Sequence, residues 1–183
     1  MDSYDVSLIG YSSSDHLDLA KVILGKNNPN DLSVNGGWFK DLPREQFRYV
    51  PYNGGISTIQ LNWLRDVLTK SEELEEKVVF FCHQPIYSPN KPQSVIWNSE
   101  DVLEVIHSFK NTCMWIAGHD HGGQYVQDKF GIHHVVPPAP LECALGESAF
   151  GDIEVFPDKF VLNWTGKGPD KSLLPWPKVL SFR

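Results

Sequence analysis

Two short apolar runs separated by one helix constrain the fold of this chain more than any other feature. Residues 77–82 and 113–117 are near-continuous runs of apolar, β-branched and aromatic side chains, which is typical of strands covered on both faces. Asn98 can cap a helix between them, with apolar residues at helical spacing: Val102, Leu103, Ile106 and Phe109. A strand, a helix and a strand within about 40 residues predict a crossover with two parallel strands. The fold class is therefore predicted to be α/β.

The residues before this crossover predict two helices and one long loop. Residues 4–9 alternate and predict a first strand, after which Ser14 can cap a helix that Gly25 ends. Residues 26–55 are rich in Asn, Gly and Pro and predict a loop, which in a compact domain is more often functional than idle. Ser57 then begins a helix that reaches about Glu75, with a capping-box Gln and one apolar stripe: Gln60, Leu61, Leu64, Val67 and Leu68.

The pattern after residue 130 changes to short strands. Alternation around Val135 and over residues 148–156 and 159–164 predicts three strands, with Pro157 and Asp158 as the turn of a hairpin. The tail after Gly166 is expected to be irregular. The predicted architecture is therefore a set of mixed β-sheets flanked by helices.

Charge and cysteine content exclude several classes of function. The chain has 16 Lys and Arg against 23 Asp and Glu, a net charge of −7, so we expect no broad contact with nucleic acid or a membrane surface. No run approaches the length of a membrane helix, and the first residues are neither basic nor apolar. The three cysteines have no paired spacing and are expected to be buried, reduced thiols of a cytoplasmic protein: Cys82, Cys113 and Cys143.

Three histidines follow the two strands of the crossover. His83 comes directly after the first strand, and His119 and His121 lie in a Gly-His-Asp-His-Gly-Gly turn directly after the second. Because parallel strands end at the same sheet edge, the three imidazoles are predicted to meet there. Neutral imidazole is a common metal ligand, so these residues can hold one ion or two adjacent ions. Asp120 either orients a ligand or faces solvent.

The other histidines and Trp97 are weaker candidates. His133 and His134 lie in a strand-like run, where we expect one to face inward, one to face outward, and both to be structural. His16 and His107 are expected to be solvated. Trp97 is most simply a packing residue, although its place in the loop after His83 would let it cover a substrate base.

The histidine motifs resemble those of a known family. Cys-His-Gln-Pro at residues 82–85 and Gly-His-Asp-His at 118–121 resemble the last two signature blocks of calcineurin-like metallophosphoesterases. Asn-Gly-Gly-Ile at 53–56, Ile-Tyr at 86–87, Gly-Gly-Gln-Tyr at 122–125 and Pro-Asp-Lys at 157–159 are similar to manganese-dependent ADP-ribose/CDP-alcohol diphosphatases within that family. The similarity runs across nearly the whole chain.

The resemblance implies a metal-dependent hydrolase of pyrophosphate bonds in ADP-ribose and CDP-alcohols. It makes His83 and His119 ligands of one divalent ion and His121 a ligand of a second, with manganese expected and zinc or magnesium as alternatives. The expected partner is a small nucleotide substrate. No residue of this chain is assigned to acid–base catalysis or to substrate binding by the resemblance.

The family's first three blocks, D-x-H, G-D-x-x-D and G-N-H-D/E, have no counterpart in this sequence. Residues 1–183 are therefore expected to form one N-terminally truncated domain, the C-terminal half of a metallophosphoesterase β-sandwich. Such a half would expose an inner sheet surface and an unpaired strand edge, so the hypothesis is self-association or a partner that supplies the absent half.

Two other functions remain open at the level of sequence. The first is a non-catalytic module that retains a histidine metal site and binds a nucleotide or a partner. The second is a mononuclear zinc hydrolase, because three protein ligands and one water form the usual catalytic zinc shell.

Overall fold

The computed structural model describes residues 1–169 and 177–182, with three α-helices and nine β-strands in these ranges. The helices are α1 (Ser14–Asn27), α2 (Thr58–Glu73) and α3 (Ser99–His107). The strands are β1 (Val6–Ser7), β2 (Gly54–Gly55), β3 (Val78–Cys82), β4 (Thr112–Ala117), β5 (Gln124–Gln127), β6 (His133–Val136), β7 (Ala149–Val155), β8 (Lys159–Gly166) and β9 (Lys178–Ser181). Short 3₁₀ turns lie at Arg44–Gln46, Pro92–Ser94 and Pro140–Glu142.

The chain divides into two compact units. The first unit contains residues 1–67 and 86–108, and the second contains residues 68–85 and the chain from 109 onward. The single domain expected from the sequence stays a prediction. No helix among the described residues has the length and apolar character needed to cross a membrane.

Two sheets build the second unit. The first sheet has the strand order β3-β4-β6-β5, in which β3, β4 and β6 run parallel and β5 is antiparallel to β6. The parallel pairing of β3 with β4 confirms the predicted crossover pairing. The second sheet, β7-β8-β9, is antiparallel, and Pro157 and Asp158 form its first turn as predicted.

Apolar side chains of the two sheets share one core. Its fully buried members come from β4 and β6 on one side and from β8 and β9 on the other: Cys113, Met114, Val135, Phe160, Leu162 and Leu180. Burial of one large apolar side chain stabilises the folded state by about 1.5–3 kcal/mol. The second unit is therefore a sandwich whose core holds β4 in place.

The first unit is organised around Asp5, which lies just before β1. Its Oδ2 accepts hydrogen bonds from the Ser57 backbone N–H at 3.1 Å and from the Gln60 amide at 3.1 Å. Ser57 caps α2 as predicted, since its hydroxyl accepts from the Gln60 N–H at 3.2 Å. In a capping box the Gln60 side chain would accept the Ser57 N–H, but here the Asp5 carboxylate accepts it. A carboxylate at this end of α2 also interacts favourably with the helix dipole.

Several boundaries differ from the sequence prediction. The first strand is only Val6–Ser7, and Ser13 rather than Ser14 caps α1, because its hydroxyl accepts from the backbone N–H of residue 16 at 3.2 Å. Gly25 does not end α1, which continues to Asn27. The helix ends where Asn28 turns extended and its amide binds the carbonyl oxygens of Trp38 and Tyr49.

The edges of the sheets were also predicted incompletely. β3 was expected to be covered on both faces, but it is an edge strand and Phe81 is 67% exposed. β5 was not predicted, because Gln124–Gln127 shows no apolar alternation. The tail after Gly166 is not wholly irregular, since Lys178–Ser181 pairs with β8 as β9. Residues 170–176 of that tail lie outside the described residues.

Both histidines of β6 are buried, which contradicts the expectation that one faces outward. The Nε2 of His133 donates to the Ser181 carbonyl at 3.0 Å, and the Tyr125 hydroxyl donates to its Nδ1 at 2.8 Å. The Nε2 of His134 lies 3.0 Å from the Asp128 carboxylate. The expected structural role is confirmed, because each ring bonds a neighbouring element of the second unit.

Candidate metal centre

The pairing of β3 with β4 brings two histidine-bearing loops to one sheet edge. Cys82 lies opposite Ala117 at the carboxyl ends of the two strands. The ladder continues one step further, since the Gly118 N–H donates to the His83 carbonyl at 2.9 Å. The backbone thus fixes His83 and His119 beside each other before their side chains interact.

The imidazoles of His83 and His119 are in contact. The Nε2 of His83 lies 3.3 Å from the Nδ1 of His119, and the rings meet edge to face at an angle of 73°. Two nitrogens bound to one tetrahedral ion at about 2.0–2.1 Å would lie about 3.3 Å apart. The observed spacing therefore fits two ligands of a single metal ion.

Burial keeps both imidazoles neutral. It lowers the pKa of His119 to about 4, and the neighbouring His83 ring acts in the same direction. The pKa of His83 is also lowered, by burial and then by the charge of His121. Only a neutral imidazole has a free lone pair for a metal, so the pair is in its ligand form at neutral pH.

The backbone of the second loop has unusual conformations at two positions. His119 has a φ of +66°, and Gly123 has a φ of +72°. A non-glycine residue in the left-handed region costs on the order of 1–3 kcal/mol, and such strain is concentrated at functional sites. A Cβ at residue 123 would lie only 2.9 Å from the Pro138 backbone nitrogen, so this position requires glycine.

His121 belongs to the same loop but has a different partner. Its Nδ1 lies 3.0 Å from the Oε1 of Glu142, and both side chains are about half exposed. Its charge acts on the pKa values of His83 and His119. The carboxylate of Asp120 accepts the Gly122 N–H at 3.1 Å, so Asp120 closes the turn that carries His121.

In residues 1–169 and 177–182, no three His, Cys, Asp or Glu side chains form a group able to hold a metal. The described arrangement is one close histidine pair and one separate histidine. Of the three imidazoles expected to meet, those of His83 and His119 are in contact, whereas that of His121 pairs with Glu142. The assignment of these three residues as metal ligands stays a prediction.

Two other sequence expectations change at this point. Trp97 does not cover a ligand, because it is 2% exposed and packs in the core of the first unit with Val6, Ala20 and Leu24. His16 is not solvated, because its Nδ1 lies 2.9 Å from the Asp5 carboxylate. His107 is half-buried, and the three cysteines are free thiols, of which only Cys113 is fully buried.

The loop after His83 lines a cavity of the first unit. The cavity has a volume of about 340 Å³, near the lower end of the range for small-molecule sites. Its walls include Tyr87, the Arg48 guanidinium and the Glu100 carboxylate, which pairs with Arg48. No sequence motif indicated this cavity, because its walls come from segments about 40 residues apart.

Comparison with known proteins decides the family. The model of the calcineurin-like phosphoesterase family matches residues 4–123. The chain belongs to the calcineurin-like phosphoesterase family. This membership confirms the resemblance seen in the two histidine motifs and the predicted α/β class with mixed sheets.

Curated relatives in this family are longer than the chain. The chain is 42% identical over 174 residues to the manganese-dependent ADP-ribose/CDP-alcohol diphosphatase of Mus musculus, which covers 93% of the chain and 49% of the relative. It is 41% identical over 175 residues to the enzyme of that name from Homo sapiens, with the same coverage. The chain thus spans about half the length of the curated relatives that it matches.

A solved phosphoesterase structure has the same fold. The crystal structure of a dimetal phosphatase from Danio rerio superposes with a TM-score of 0.82 at 30% identity. The match covers 99% of this chain and 55% of the other.

Proposed function

We propose that this chain serves the metal-dependent hydrolysis of pyrophosphate bonds in ADP-ribose and CDP-alcohols. In this reaction water adds across a P–O–P linkage, and a nucleoside monophosphate and a phosphorylated sugar or alcohol are released. The observation that carries the proposal is the contact of two imidazoles, His83 and His119, at the carboxyl edge of a parallel sheet. The names of the curated relatives supply the substrate class.

Manganese is the proposed metal, since the relatives are named as manganese-dependent. Divalent ions supply Lewis acidity in such a site, because they neutralise charge on phosphate oxygens and lower the pKa of water. His83 and His119 would hold one ion and His121 the other. The contact of the His83 and His119 rings would place both on the same ion.

The test is manganese-dependent hydrolysis of ADP-ribose and CDP-choline by the purified chain. We expect turnover that is lost in His119→Ala and retained in His107→Ala, a histidine control outside the site. A folded chain that binds manganese without turnover would overturn the catalytic proposal and leave a binding module. One bound zinc per chain, lost in His121→Ala, would favour the mononuclear alternative.

We further propose a cytoplasmic location and no direct contact with nucleic acid or membranes. A net charge of −7 and three free thiols support this proposal. Fluorescence microscopy of a tagged chain would show diffuse cytoplasmic signal. Signal in a secretory compartment would contradict it.

A further inference from the structure

Glu142 and His121 are held next to each other by the backbone of the second unit. The Ala139 N–H donates to the His121 carbonyl at 3.0 Å, and the Glu142 N–H donates to Ala139 in the next turn at 3.0 Å. Pro138 and Pro140 flank Ala139 and restrict its segment. The position of Glu142 therefore depends on backbone contacts, and its side chain can be changed without moving the segment.

The contact between the two side chains fixes the proton on His121. The Glu142 Oε1 lies 3.0 Å from the His121 Nδ1, and an ionised carboxylate can only accept a hydrogen bond. The Nδ1 must then carry the hydrogen, which leaves the lone pair of a neutral ring on Nε2. Carboxylate partners of this kind set both the tautomer and the orientation of metal-binding histidines.

The pair contributes little to the stability of the fold. The two side chains are 52% and 50% exposed, and solvent screens the attraction within exposed ion pairs. If Glu142 orients His121, removal of its carboxylate should change the tautomer and the metal affinity of His121. The unfolding curve should stay unchanged.

We propose that Glu142 is the positioning residue of His121, which it holds with Nδ1 protonated and Nε2 available to a divalent cation. The proposal rests on the proposed function only in taking His121 as a metal ligand. No sequence motif indicated Glu142, because it lies 21 residues from His121 and outside every motif.

The first test measures the tautomer of His121 without metal. Two-dimensional ¹H–¹⁵N NMR of the full chain near pH 7.5 separates the protonated from the unprotonated ring nitrogen, and His121→Ala assigns the signals. We expect a protonated Nδ1 in the wild type and in Glu76→Ala, an exposed glutamate control of the same unit. In Glu142→Ala we expect the two nitrogen shifts to move toward each other. A wild-type ring protonated on Nε2, or no change in Glu142→Ala, would overturn the proposal.

The second test measures manganese binding by the electron paramagnetic resonance signal of free Mn²⁺. Loss of a carboxylate partner lowers metal affinity by about 10- to 100-fold, and we expect this for Glu142→Ala but not for Glu76→Ala. In the His121→Ala background, Glu142→Ala should have no further effect. A further loss would mean that Glu142 binds the ion directly, and an absence of manganese binding to the wild type would also refute the role.

These tests separate the inference from the proposed function. A chain with the expected tautomer and manganese binding but no hydrolysis of ADP-ribose would refute the function and leave the role of Glu142 intact. If Glu142→Ala hydrolyses ADP-ribose as well as the wild type and its His121 tautomer is unchanged, the role of Glu142 is refuted and the proposed function stands.

Discussion

The role of each histidine in this chain depends on its burial and its hydrogen-bond partners more than on its residue type. Seven histidines occur in the sequence, and the structure gives them different tasks. His83 and His119 are neutral and in contact, His133 and His134 are buried structural groups, and His16 pairs with Asp5. The histidine type alone therefore does not identify the site, whereas its burial and partners do.

Asp5 is expected to make the first unit sensitive to acid. Hydrogen bonds from Ser12, Ser57 and Gln60 outweigh the opposing effect of burial and lower its pKa to about 2. The unfolded chain then binds the proton first as the pH falls, so stabilisation present above about pH 4 is lost between about pH 4 and 2. Asp5→Asn should lower the free energy of unfolding by about 1–3 kcal/mol at pH 7 and flatten its dependence on acid pH.

Urea denaturation at several pH values measures this effect. Asp152→Asn, an exposed carboxylate on β7, is the matched control and should leave the acid dependence as in the wild type. An equal acid dependence in Asp5→Asn and the wild type would contradict the role of Asp5.

Gly123 is expected to be the least replaceable glycine of the histidine loop, residues 118–123. Gly123→Ala places a Cβ 2.9 Å from the Pro138 backbone nitrogen at a φ of +72°, so the loop must shift. We expect a loss of more than about 1 kcal/mol in stability and weaker manganese binding. Gly37→Ala, with no atom within 4 Å of the new Cβ, should change stability by less than about 0.5 kcal/mol. Thermal unfolding measures both variants, and equal effects would contradict the prediction.

At the scale of elements, the sandwich of the second unit holds the site strands in register. β4 is buried along nearly its whole length, contributes Cys113 and Met114 to the core and ends at Ala117, one residue before the histidine loop. β3 ends opposite it, so the pairing of these two strands sets the distance between the two histidine loops. Stability of the sheet core is therefore a condition for the geometry of the site.

Leu162→Ala should destabilise the second unit strongly. Leu162 is 1% exposed in the core between the sheets, and removal of a buried leucine costs about 2–5 kcal/mol. Val155→Ala on the neighbouring strand is the control, because Val155 is 72% exposed. Hydrogen exchange of the β4 and β8 amides should accelerate only in Leu162→Ala. Unchanged protection there would mean that the shared core does not stabilise β4.

At the scale of the whole molecule, self-association stays a prediction, supported by an apolar side chain that the second unit leaves exposed. β3 is an edge strand, and its Phe81 is 67% exposed. Exposed apolar side chains on an edge strand favour association between chains, and a lysine at such a position opposes it.

We expect wild-type chains to associate with increasing concentration and Phe81→Lys to remain monomeric. Val22→Lys replaces another exposed apolar residue, on α1, and should associate as the wild type does. Size-exclusion chromatography with light scattering gives the mass directly. A wild-type monomer at every concentration would contradict the prediction.

The sequence by itself determined the elements in which local pattern and burial agree. The runs at 77–82 and 113–117, the capped helix after Ser57 and the Pro157–Asp158 turn were predicted from hydrophobic period and turn chemistry. The meeting of His83 and His119 followed from one topological rule, that parallel strands end at the same edge. The elements depend on residues close in sequence and the histidine contact depends on a general rule of topology, so one sequence is sufficient to predict them.

Only the tertiary structure decided features that depend on distant neighbours. Glu142 contacts His121 because a proline-flanked turn returns to the histidine loop. β5 and β9 form because a neighbouring strand supplies their hydrogen bonds. Trp97 and His134 were buried by packing that no local pattern records. Contacts of this kind join residues far apart in sequence, and their free energy is gained only once the intervening chain has folded.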